Sequence, residues 1–196
     1  MSNSRFFSLH AQGFVRIAAC TPRIAVGDPH ANAQATLELM RQSEARALDL
    51  MLFPELGLSA YAIDDLLLQD VILDGVERAL KVLVDESRAL PAVFVVGAPI
   101  RRQQRLYNCG VAFARGRILG VTPKSFLPNY REYYENRWFA PGVGVVGCEV
   151  TLAGQVAPFG TDIVFAASDL ADFSFHIEIC EDFWAPAPPS TAGALA

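Results

Sequence analysis

Short apolar runs that stop at proline or glycine, set apart by stretches with helical spacing, constrain this chain more than any other feature. Residues 15–20 read as a strand ended by Thr21-Pro22. Asp28-Pro29 then makes a helix start: the aspartate can accept a backbone N–H, and the proline already holds a helical φ. Leu37, Met40 and Ala47 recur on one face with Glu38, Arg41 and Glu44 outside it, so the spacing predicts a helix over residues 29–48. Residues 50–53 form a short apolar run closed by Pro54, the pattern of a buried strand. Over residues 76–90, Leu80, Leu83 and Val84 face inward and Glu77, Lys81, Asp85 and Arg88 outward, until Pro91 ends the helix.

Residues 93–96 read as a strand ended by Gly97-Ala98-Pro99. Residues 111–114 and 118–121 flank Arg115-Gly116-Arg117 as a hairpin. Residues 162–165 are a candidate further strand. In residues 173–180, Phe173, Phe175, Ile177 and Ile179 alternate with Ser174, His176, Glu178 and Cys180, which predicts a strand with one apolar face. The proline-rich tail from Ala185 reads as a connection. This order describes a mixed α/β sheet with helices packed against it.

Composition removes several function classes. Apolar residues make up 52% and charged residues 19%, which excludes a disordered chain. So low a charged fraction fits an oligomer or a part of a larger body. A net charge of −5 is wrong for a general nucleic-acid binder, and the cluster of Arg101, Arg102 and Arg105 is too short to change that. No apolar run reaches the ~18 residues of a membrane span, and the opening from Met1 lacks the apolar core of a signal peptide. A cytoplasmic protein is expected. Its cysteines (Cys20, Cys109, Cys148 and Cys180) form no C-x-x-C pair, and with only His10, His30 and His176 beside them a metal site is not expected.

Three reactive side chains follow strands: Glu55 after residues 50–53, Lys124 after residues 118–121, and Cys180 at the end of residues 173–180. If these strands run parallel, all three reach one rim of the sheet, where α/β sheets collect ligands. A carboxylate can deprotonate the thiol, and an ammonium can lower the thiol's pKa and hold the oxyanion formed when a carbonyl is attacked. Taken singly, each has a plainer reading: a solvated glutamate, a surface lysine and a core cysteine.

The residues around them narrow the choice. Phe53-Pro54-Glu55-Leu56, Pro123-Lys124-Ser125-Phe126-Leu127-Pro128 and Glu178-Ile179-Cys180-Glu181-Asp182 resemble the three motifs of the nitrilase (carbon–nitrogen hydrolase) superfamily. Tyr107-Asn108-Cys109-Gly110-Val111 is similar to its Y-N-x-A-x-V stretch, with Cys109 in place of Thr or Ser and Gly110 in place of Ala. Residues 10–18, 57–70 and 129–139 resemble the glutaminase domain of bacterial glutamine-dependent NAD synthetases, with Ala60 where that group favours Gly.

The resemblance implies a four-layer αββα sandwich. Residues 1–196 would be its N-terminal part, truncated on the C-terminal side, with the ATP-dependent synthetase domain absent. It also implies that Cys180 attacks the side-chain amide of glutamine, Glu55 acts as base and Lys124 stabilises the tetrahedral intermediate. Ammonia then leaves for NAD synthesis from nicotinic acid adenine dinucleotide. Tyr61, Tyr130 and Tyr133 are candidates for the substrate pocket or for aromatic core. Glu135, or its rival Glu132, is the candidate second pocket glutamate, and Glu181 either supports the site or caps the following turn. No cofactor is expected for this domain; ATP and Mg are expected only in the synthetase domain. Homo-oligomers are implied, with no nucleic-acid or membrane partner. Another amidase or carbamoylase of the superfamily, or a non-catalytic interaction module, are the competing readings.

Overall fold

The computed structural model describes residues 7–170 and 172–196, so the opening residues 1–6, read above for a signal peptide, lie outside the described residues. In chain order the elements are β1 (Ile17–Ala19), α1 (Pro29–Met40), β2 (Leu50–Leu52), α2 (Asp70–Glu86), β3 (Val93–Arg102), β4 (Arg105–Ala114) and β5 (Arg117–Pro123). They are followed by β6 (Cys148–Leu152), β7 (Gln155–Phe159), β8 (Phe165–Ala166), β9 (Ser174–Phe175) and α3 (Pro189–Leu195). Seven strands form one sheet in the order β1-β2-β3-β4-β5-β7-β6, while β8 and β9 form a separate ribbon. β2 is parallel to β1 and β3, and β4 is antiparallel to both β3 and β5. β2 and β5 therefore point the same way.

The helix starts follow local chemistry. Asp28 accepts the Ala31 N–H at 3.0 Å and Pro29 occupies the first turn of α1. α1 stops at Met40 rather than running to residue 48; residues 41–47 form turns, with Ala47 at φ +49°. α2 begins at Asp70, before the expected residue 76, because Ile72 and Leu73 extend the same buried stripe as Val76, Leu80 and Leu83. Its acidic first turn suits the positive helix end.

Two hairpins escaped the sequence reading. β3 runs through Gly97-Ala98-Pro99 to Arg102 and turns back into β4, and β6 turns into β7 at Ala153-Gly154. Pro99 is tolerated because β2 pairs only with Val93, Phe94 and Val95. Val93 N–H and the Val95 and Gly97 carbonyls bond toward the β2 side, so by alternation the missing Pro99 donor faces a side with no strand.

One face of the large sheet, with Phe94, Val96, Val111 and Phe113, packs on Leu37, Met40, Leu80 and Leu83 of α1 and α2 in a single apolar cluster. On the other face, Val95 and Ala112 meet Phe165, Ile177 and Ile179. That is the beginning of the second sheet of the expected sandwich. Gly110 makes the close approach possible: a Cβ there would lie 2.7 Å from Ile177 Cγ2.

The predicted strand over residues 173–180 is shorter than expected. Only Ser174–Phe175 pairs, with β8. Beyond it the alternation persists, with Ile177 and Ile179 buried, although no partner strand is present among the described residues. Alternation reports which face is covered; the ladder needs a second strand. The candidate strand at residues 162–165 is likewise reduced to Phe165–Ala166. The tail is more than a connection, because Pro189 starts α3 and the Ser190 N–H donates to Glu178 Oε2 at 3.0 Å. Among the described residues, no helix is long and apolar enough to cross a membrane.

Candidate active site

Because β2 and β5 share a direction, the residues after their ends meet at one rim of the sheet. Glu55 lies in the turn after β2, and Lys124 directly follows β5. The parallel arrangement assumed for these two strands holds. Cys180 arrives from the second layer, at the start of a 3-10 turn spanning Cys180–Trp184, with φ +48°. Held outside the region that L-residues favour, Cys180 is an exposed free thiol. Glu55 and Cys180 line one cleft of about 160 Å³ with Phe53, Gly110 and Ile177.

Lys124 is the centre of a buried network. Its Nζ lies 2.8 Å from Glu55 Oε1 and 2.9 and 3.0 Å from Glu135 Oε1 and Oε2. The Lys124 side chain is 0% exposed and that of Glu135 1%. Tyr61 Oη donates to Glu135 Oε1 at 2.7 Å. Asn108 Nδ2 donates to Glu55 Oε1 at 2.6 Å, and the Asn108 carbonyl accepts the Lys124 N–H at 2.8 Å. The backbone is braced too, since Gly142 N–H donates to the Lys124 carbonyl at 2.7 Å. On the opposite side, a Cβ at Gly97 would lie 2.3 Å from the Pro54 carbonyl, so only glycine lets the Glu55 turn sit against β3.

These contacts set the charges. Burial pulls the Lys124 pKa down, but the Glu55 and Glu135 carboxylates more than offset this and hold it above the ordinary lysine value. Burial raises Glu135 above the usual carboxylate range against the hydrogen bonds from Tyr61 and Lys124. Tyr61 is pushed up by burial and by the Glu135 carboxylate. Although the residue is exposed, the Cys180 thiol is raised, first by its partial withdrawal from water and then by the Glu55 charge; Lys124 opposes this without overcoming it. The ammonium thus does not leave the thiol below its ordinary value, as its chemistry alone allows.

The remaining predicted residues separate into two groups. Glu135 faces Lys124, whereas Glu132 is exposed. Tyr61, itself 36% exposed, reaches the buried network through its hydroxyl. Tyr130 instead donates to Glu181 at 3.0 and 3.1 Å and meets the edge of Tyr133 at 6.2 Å. Tyr130 is 52% exposed and Tyr133 38%, so neither is core. Glu181, paired with Tyr130, leaves the capping of the turn to its neighbour. Among the described residues, no group of three or more His, Cys, Asp or Glu side chains is placed to hold a metal ion.

A sequence model described as carbon-nitrogen hydrolase matches residues 16–191. The chain belongs to the carbon-nitrogen hydrolase family. It is 52% identical over 191 residues to the glutamine-dependent NAD(+) synthetase of Mycobacterium tuberculosis, a match covering 97% of this chain and 28% of that protein. The chain thus spans between a quarter and a third of that relative's length. Its fold matches the glutamine-dependent NAD(+) synthetase of Cytophaga hutchinsonii with a TM-score of 0.72 at 21% identity, covering 85% of this chain and 28% of the other. An amidase from Nesterenkonia sp. shares the fold with a TM-score of 0.56 at 18% identity, over 72% of this chain and 53% of that one.

Sequence reasoning missed several supports of this carbon-nitrogen hydrolase site. Asp182 is 1% exposed and bonds both halves of it. Its Oδ1 accepts the Ser125 and Phe126 N–H groups at 3.0 and 2.8 Å, and its Oδ2 accepts the Ile179 N–H at 3.0 Å. Asp65 clamps the Glu135 segment through Arg137 at 2.6 and 2.7 Å and Trp138 Nε1 at 2.9 Å. Asp182 and Asn108 both stood within motifs already singled out, and a polar residue beside a reactive one was the available signal.

Proposed function

We propose that this chain hydrolyses the side-chain amide of L-glutamine through a cysteine thioester and releases ammonia for NAD synthesis. The observation that carries the reading is the convergence of Glu55, Lys124 and Cys180 at one rim, with Lys124 bonded at 2.8 Å to Glu55 and with Glu55 and Cys180 lining the same cleft. Glu55 removes the thiol proton as sulfur attacks the amide carbon. The Lys124 Nζ, which has three donors and two carboxylate partners, turns one N–H to the developing oxyanion. As the C–N bond breaks, the protonated Glu55 returns its proton to the departing ammonia. Water, deprotonated by Glu55, then attacks the thioester, and glutamate leaves as Cys180 regains its proton.

Glutamine is supported by the M. tuberculosis relative, whose name states glutamine dependence and NAD(+) synthesis. On this reading the chain acts with an ATP-dependent synthetase domain that holds ATP and Mg and uses the ammonia, within a cytoplasmic homo-oligomer. The free thiols, Cys20, Cys109, Cys148 and Cys180, suit a reducing compartment. The test is ammonia release by the complete protein from glutamine, N-carbamoyl amino acids and nitriles, with Cys180→Ala alongside. Glutamine is expected to be the preferred substrate and Cys180→Ala inactive. Glutamine-dependent turnover surviving Cys180→Ala would end the amidase reading, and a preference for carbamoyl substrates would favour a carbamoylase.

A further inference from the structure

We infer that Asn108 is a positioning residue for Glu55: its amide pins one carboxylate oxygen so that the other is presented to the Cys180 thiol. This rests on the reading of Glu55 as the general base. The two hydrogen bonds that reach the carboxylate from Asn108 Nδ2 and Lys124 Nζ, at 2.6 and 2.8 Å, both end on Oε1. Oε2 takes neither of these bonds and, on this inference, is the oxygen that receives the proton of Cys180. Asn108 fixes the lysine as well, because its carbonyl accepts the Lys124 N–H at 2.8 Å. One residue of β4 thus sets the spacing of two groups that follow β2 and β5.

The amide also leaves a mark that packing alone does not explain. Asn108 is 1% exposed, and its Oδ1 is buried without a hydrogen-bond partner among the described residues. An orphaned buried acceptor weakens the fold, and an apolar residue of similar shape would avoid it. What the asparagine side chain supplies instead is a neutral N–H donor to an acceptor-only carboxylate, which also assigns the amide orientation. Aspartate in its place would add a second negative charge.

A donor on a carboxylate favours its charged form, so removing the donor makes proton binding easier. The groups facing Glu55 are the Lys124 ammonium after β5, the Cys180 thiol from the 3-10 turn, and the Glu135 carboxylate and Tyr61 hydroxyl, which act on the same network. None of these changes in Asn108→Leu or Asn108→Asp.

The experiment is the pH dependence of kcat/KM for glutamine in the complete enzyme, with thermal melts of each variant. Asn108→Leu is expected to lower kcat/KM by about 10-fold or more and to move the acid limb up by about one pH unit, since a hydrogen bond to a charged group is at stake. Asn108→Asp keeps the side-chain shape, and the melts establish which variant is folded; its extra carboxylate is expected to move the limb further up. Lost activity with an unmoved acid limb in the folded variants would make Asn108 merely structural and overturn the inference. Glu55→Gln separates the two claims: if it is inactive, such a result sinks the Asn108 role alone, whereas an active Glu55→Gln removes the base reading beneath it.

Discussion

The Lys124 ammonium is fully enclosed between the carboxylates of Glu55 and Glu135. Removing one partner of a buried pair strands the others and typically costs about 3–5 kcal/mol. Its catalytic share is separable from that cost. Lys124→Ala should lower kcat by about 10²–10³ in the folded fraction if the ammonium serves the oxyanion; steady-state ammonia release measures it, and an unchanged kcat would reduce Lys124 to a structural ion. Folding also raises the Lys124 pKa, so the native state holds that proton more tightly than the unfolded chain. The stabilisation is fully present below the unfolded lysine value of about 10.4 and is lost as pH climbs through the higher native value. Denaturant melts should show stability falling as pH rises above about 10.4, with a shallower fall in Lys124→Met. At this scale the sequence named the three candidate residues that the fold brings to one rim, because motif residues are local. It left Glu132 and Glu135 open, since three positions apart in a loop carry no periodicity; burial beside Lys124 separates them.

Between elements, Asp182 ties the segment after β5 to the turn that presents Cys180. One carboxylate accepts three backbone N–H groups from two parts of the chain. Asp182→Ala leaves all three without that acceptor and should lower stability by at least about 2 kcal/mol, read by urea unfolding. It should also depress kcat more than it raises KM, because Lys124 and Cys180 lose a shared anchor. Asp182→Asn retains one accepting oxygen and should fall between. Stability equal to wild type in the alanine variant would show that the N–H groups find other partners. Helix starts were legible because capping acts within three residues of Asp28. The end of α1 and the reach of β3 were not, since both depend on a neighbour: Leu48 folds back through a bond to Ser43, and β3 extends as far as β4 pairs with it.

Across the whole molecule, the site exists where two layers meet. Ile177 and Ile179 press against Val95 and Ala112 and set the height of Cys180 over the rim. Ile177→Ala should cost about 2–5 kcal/mol and lower turnover as the turn loosens. Gly110→Val should be worse, because its side chain would enter the space of Ile177. Thermal melts with parallel ammonia assays test both, and full activity in Gly110→Val would show that the layers are free to separate.

The sequence alone determined the positions of most elements, the family resemblance and the three candidate reactive residues, because periodicity, caps and motif spacing act over a few neighbouring residues. The tertiary structure decided which glutamate faces the lysine, that Tyr61 joins the buried network while Tyr130 lies outside it, and that Asn108 and Asp182 hold the site. Apart from the short bond between Asp182 and Ile179, those contacts join residues between 11 and 74 positions apart. Only burial, which removes water as the competing partner, selects among the polar side chains that could make them.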